Sequence, residues 1–196
     1  MRTFLRTTLA IGAGVFFTGS LFVVAEPPVT PPESKMDQIE FDRQAMAKIR
    51  SFAIELKTRL KTGIQDGGPT KAIAVCHEEA EKIAAKHSEQ GWLVRRVSDR
   101  PRNPNNAAQG WEGKMLTDLK KNYDVGSEKK YLSEQVGNEF RLMKSIAIDA
   151  VCLTCHGENI QGELKDKLDA LYPNDLARGY KMEDFRGAFS VTYTAE

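Results

Sequence analysis

Cys152, Cys155 and His156 fall together in the stretch Cys152-Leu153-Thr154-Cys155-His156, a C-x-x-C-H motif. Two thiols at this spacing can add across the two vinyl groups of a porphyrin, and a histidine set by the same turn can reach the iron. Three other chemistries compete for these residues. A zinc site needs a second ligand pair, which only Cys76 with His77 or His87 could supply. A thioredoxin-like redox pair would leave His156 and the third cysteine idle. A disulfide closed over so short a loop is strained and stabilises little. The motif therefore predicts one haem c, covalently bound through Cys152 and Cys155, with His156 as an iron ligand.

The third cysteine, Cys76, has no sequence neighbour to pair with. Ile73, Cys76, Ala80 and Ile83 share one face of a helical stretch, so the thiol points inward. A buried core cysteine and a sulfur ligand to the iron both satisfy that placement, and spacing does not separate them. His77, Met115, Met143 and Met182 are rival sixth ligands. Farther along, Arg102 with Asn103 or Asn106 is a candidate grip for a haem propionate, because a guanidinium can hold a carboxylate through two parallel hydrogen bonds. The competing reading is a solvated turn shaped by Pro101 and Pro104.

These residues need a frame. The 196-residue chain is 41% apolar, enough for one globular domain, and its formal charge is only +1. That balance suggests no nucleic-acid or anionic-membrane partner. Residues 1–25 combine Arg2 and Arg6 with an almost wholly apolar run from Leu9 to Val24 and a small residue, Ala25, and read as a secretory signal peptide. The alternative is an uncleaved anchor, the one case in which a membrane would be involved. Cleavage removes two arginines and no acid, turning +1 into −1. Residues 26–34, rich in proline, form a stiff linker, and 35–196 form the haem domain. Export predicts a periplasmic location, where c-type haem is attached.

Apolar residues from Ile39 to Leu60 recur at three- and four-residue steps, predicting a long helix from Met36 to about Ile64 that Gly67-Gly68-Pro69 ends. A second helix, capped by Thr70, should reach about His87. Trp92 to Ser98 reads as a strand, Arg100 to Gly110 as a polar loop and Trp111 to Tyr123 as a third helix. Tyr131–Val136 and Glu139–Ile148 read as strands joined at Gly137-Asn138. A short helix over Glu163–Leu171 and a strand through Phe189, Val191 and Tyr193 complete an α+β domain with a mainly antiparallel sheet. A four-helix bundle is the rival fold, and the terminal strand argues against it.

Four separated motifs occur in one order: Ala72-Ile73-Ala74-Val75-Cys76, Arg95 to Asn106 followed by Trp111-Glu112, Cys152 to Gly157, and Gly179-Tyr180 with Arg186 to Val191. In these the chain resembles the extracytoplasmic c-type haem domains with a PAS-like fold, which occur alone or as the sensing part of bacterial histidine kinases. The resemblance covers about residues 36–194. It implies a PAS-like antiparallel sheet flanked by helices, with His156 and Cys76 as the axial pair. His77 and the stretch Ala107–Gly110 depart from the family pattern.

With both axial positions filled, no vacancy is left for oxygen or peroxide, and the expectation is a protein that is not an enzyme. The first reading is a periplasmic redox or small-ligand sensor acting through an unknown redox or signalling protein partner. The second is a one-electron carrier, and the third a haem enzyme with a labile axial site.

Overall fold

The structure, a computed structural model, describes residues 36–195. The signal peptide and proline-rich linker expected over 1–34 lie outside the described residues. Among those described, no helix is long and apolar enough to cross a membrane.

Helix α1 spans Gln38–Ala74, with the Asp37 carboxylate accepting from the Glu40 amide at its N-terminus. The first of its two arms ends at the glycine pair, as the sequence predicts, and the second follows directly across a kink. Gly67 and Gly68 leave helical geometry, and Gly68 takes a φ of +73° that its lack of a Cβ allows. Helical backbone resumes at Pro69, whose fixed φ suits a first helical position, so Pro69 rather than a residue behind Thr70 restarts the helix. The restarted helix runs through a π-helical turn, Val75–Glu79, into α2, Ala80–Lys86.

Among the described residues four strands follow: β1 Trp92–Val97, β2 Tyr131–Val136, β3 Glu139–Ala147 and β4 Phe185–Thr194. They form one antiparallel sheet in the order β1-β4-β3-β2. Helix α3, Trp111–Asp124, lies before β2, and α4, Ala150–His156, and α5, Gly162–Leu171, lie between β3 and β4. The α+β class and the helix-flanked antiparallel sheet are as the sequence predicts.

The period-two alternation of the strands gives the sheet two apolar faces. Trp92, Val94, Phe140, Leu142 and Val191 pack against Phe41, Ala45, Ile49 and Phe52 of α1 and Ile83 of α2. Val97, Met143 and Ala188 pack on the other side with Met115, Leu116 and Leu119 of α3. A buried polar cluster pins α3 to this second face. Glu112 accepts from the Ser190 hydroxyl at 2.7 Å and from the Gln109 amide at 3.1 Å, and lies 3.7 Å from Arg95.

One irregularity matters for the site. Gly187 pairs with Ile146, but Phe185 pairs with Ala147, so Arg186 is the extra residue of a β-bulge. Gly187 adopts a φ of +142°, and a Cβ there would stand 2.3 Å from the Val97 carbonyl oxygen. Only glycine lets β4 run this close to β1.

Candidate functional site

A cavity of about 1190 Å³, partly open to solvent, lies where the two arms of the broken helix, the sheet and α4 meet. Leu56, Leu60 and Ile64 of α1, Ile148, Leu168 of α5 and Phe189 of β4 make its walls largely apolar. Cys152, Cys155 and His156 line it from α4, and Cys76 lines it from the π-helical turn. The motif and the third cysteine, distant in sequence, thus meet in one chamber. All three cysteines are unpaired. Among the described residues no group of three or more His, Cys, Asp or Glu converges tightly enough to hold a bare metal ion. The zinc reading therefore has no ligand set.

The π-helical turn inserts one residue into the helical register, a distortion frequent at functional sites. His77, next to Cys76 in the same turn, does not line the cavity; it is exposed, edge-on to the Tyr172 ring with centroids 5.3 Å apart. Met115 and Met143 are buried in the cluster beneath α3, and Met182 is exposed. None of the rival ligands named from the sequence reaches the chamber.

His156 is held from outside. Its Nδ1 lies 2.7 Å from the Ala177 carbonyl oxygen, and its own carbonyl accepts from the Tyr180 amide at 3.0 Å. A proton on Nδ1 donated to Ala177 leaves Nε2 as the free nitrogen. Burial, with the nearby positive charges of Arg102 and Arg186, pushes the imidazole pKa down to about 3, so the ring is neutral near pH 7.

Arg102 is buried and lines the cavity, but its bonds lead away from it. Nε donates to Asp175 at 3.0 Å, and Nη2 to the carbonyl oxygens of Cys155 and, at 3.3 Å, Ala177. Asp175 also takes Arg178 at 2.8 Å and the Ala177 amide at 2.9 Å. Arg102 is therefore a clamp tying α4 to the 175–178 loop, where the sequence suggested a free carboxylate grip. Asn103 is outside the cavity: it caps the short 3-10 turn Pro104–Asn106 and donates to Glu81 at 2.9 Å. Asn106 does line the cavity.

Sequence reasoning overlooked Arg96, Arg186 and Tyr172, all in the cavity wall, and the Asp175–Ala177 support behind His156. Arg96 carried a readable signal. It continues the inward row Trp92, Val94 on a strand whose other face belongs to Val97.

An α+β domain that encloses thiols, an imidazole and arginines between a bent helix and an antiparallel sheet defines a small sheet-backed binding domain. The Tll0287-like family model matches residues 32–194, and the chain belongs to that family. The crystal structure of the cyanobacterial heme-protein Tll0287 is similar in fold, with a TM-score of 0.60 and 23% identity over 82% of this chain and 98% of that one. The comparison with curated proteins found no match.

Proposed function

We propose that this chain is an exported, single-haem c-type protein, with iron held between His156 and Cys76, that works as a redox or small-ligand sensor. The observation that carries the reading is that Cys76 and His156, from separate elements, line one apolar cavity together with Cys152 and Cys155. Membership of a family named after a heme-protein of the same fold supports it.

The residues present fit such a group. Leu56, Leu60, Leu168 and Phe189 suit the faces of a porphyrin. Each motif thiol would form one thioether, its sulfur bonding to a vinyl carbon and its proton passing to the neighbouring carbon. His156 offers a neutral Nε2 whose orientation the Ala177 carbonyl fixes. The bound haem would supply reversible one-electron chemistry. If Cys76 and His156 are the residues that hold the iron, the protein's part would be to set the potential and respond to it rather than to turn over a substrate.

The π-helical turn favours a sensor. Release of the Cys76 sulfur on reduction or ligand binding would let that turn relax, changing the surface of the helix for a redox or signalling partner. The test is the low-temperature electron paramagnetic resonance spectrum of the ferric protein beside Cys76→Ala, with hydrogen exchange over residues 71–86 in both oxidation states. The sensor reading expects a thiolate-type low-spin signal lost in the variant, and faster exchange in the ferrous protein. The same signal with identical exchange in both states would make the chain an electron carrier. A signal unchanged by the substitution would remove Cys76 from the iron.

A further inference from the structure

The cavity holds more positive charge than its walls can neutralise. Lys57, Arg96, Arg102 and Arg186 line it, and no aspartate or glutamate does. Two of these cations have carboxylate partners: Lys57 meets Asp149 at 2.6 Å, and Arg102 meets Asp175 at 3.0 Å. The other two form no salt bridge among the described residues. Arg186 donates from Nη1 to neutral oxygens only, Ser98 Oγ at 2.9 Å and the Arg100 carbonyl at 3.2 Å. The Arg96 side chain makes no hydrogen bond to a described residue, and its guanidinium carbon lies 5.9 Å from the centre of the Phe52 ring.

An unpaired guanidinium beside apolar walls is unfavourable, and burial accordingly holds both arginines below their ordinary pKa. Both nevertheless stay charged at neutral pH, because arginine does not deprotonate in proteins. The fold delivers each deliberately. Arg96 occupies the inward row of β1 after Trp92 and Val94, and Arg186 is the residue that the β-bulge adds to β4. Each positive charge disfavours the other, and an anion entering between them would relieve both.

We propose that Arg96 and Arg186 are the seat for the two propionate carboxylates of the haem, a role the sequence had suggested for Arg102. The proposal rests on the haem reading above. Two uncompensated cations meet two carboxylates, while the ferric porphyrin core and a Cys76 thiolate cancel each other. Guanidinium forks suit carboxylates, and the Arg186 bonds to Ser98 and Arg100 fix its direction beforehand.

The holoprotein and its Arg96→Gln, Arg186→Gln and Arg96→Lys variants would be compared by resonance Raman spectroscopy and redox titration, with Lys114→Gln as an exposed control. Covalent haem is first verified by the pyridine haemochrome assay. The propionate-bending band should shift in both glutamine variants, and the midpoint potential should fall, because losing a cation favours the ferric state. Arg96→Lys, which keeps the charge without the fork, should restore the potential but not the band. Haem attached with unmoved bands in both glutamine variants overturns the arginine assignment and leaves the haem reading intact. Absence of covalent haem from the wild-type protein overturns both.

Discussion

The Nδ1 atom of His156 lies 2.7 Å from the carbonyl oxygen of Ala177, and the amide of the same residue donates to the Asp175 carboxylate two residues earlier. Asp175 gathers the Ala177 amide, Arg178 and Arg102, and Arg102 in turn reaches the carbonyl of Cys155. The imidazole is thus oriented by a closed ring of contacts that returns to its own helix.

Breaking that ring should be costly. Burial alone would raise the Asp175 pKa, but hydrogen bonds from Arg178 and Arg102 outweigh it and hold the carboxyl below its ordinary value. A depressed folded pKa means the contribution is fully present above the unfolded value of about 3.9 and fades as pH falls through the folded one. Asp175→Ala should cost about 3–5 kcal/mol near neutrality. In denaturation series the gap from wild type should stay constant above about pH 5 and narrow below about pH 4.

The polar cluster under α3 offers a contrast, because it lies on the opposite face of the sheet from the α1 packing. Glu112→Ala removes the acceptor of Ser190 and of the Gln109 amide. The expected loss is about 2–4 kcal/mol in urea unfolding. The absorption spectrum of the loaded protein should not move.

Gly187→Ala tests the bulge. The added methyl would meet the Val97 carbonyl at 2.3 Å in a backbone conformation that alanine resists. Destabilisation of about 1–3 kcal/mol is expected, together with displacement of Arg186. A melting temperature equal to wild type would show that β4 can shift there freely.

His77 and Cys76 are adjacent, yet their substitutions should differ completely. His77→Ala removes an exposed ring packed on Tyr172 and should leave the ferric resonance spectrum unchanged. Cys76→Ala should abolish the thiolate-type signal. The reverse outcome would assign the ligand to His77.

Much of this was legible in the chain because it depends on local periodicity. The strands at Trp92 and Tyr131 and the helices at Trp111 and Glu163 follow from residue spacing and end where glycine or polar loops demand. What was not legible depends on partners distant in sequence. Gly67-Gly68-Pro69 reads as a terminator, and the first helical arm does end there, but its spacing could not show that the second arm restarts at once across a kink. The strand expected through Phe189, Val191 and Tyr193 begins earlier, at Phe185, because the Arg186-Gly187 bulge breaks the period-two alternation there. Arg102 carries the right chemistry for a carboxylate, and only the fold reveals that its Nε already meets the carboxylate of Asp175.

Sheet topology also makes completion of the site depend on one strand. β4 follows every other described strand in sequence, yet it lies between β1 and β3 and pairs with both. Before β4 docks, the N-terminal arm and the β2–β3 hairpin have no shared ladder, and Gly187 and Arg186 have not reached the chamber. Contacts closed over such long stretches form slowly. During that interval the thiols of Cys152 and Cys155 stand on an unassembled wall, open to whatever modifies them. Once β4 has inserted, the same two sulfurs line a finished cavity, so that wall is complete only when the last described strand is in place.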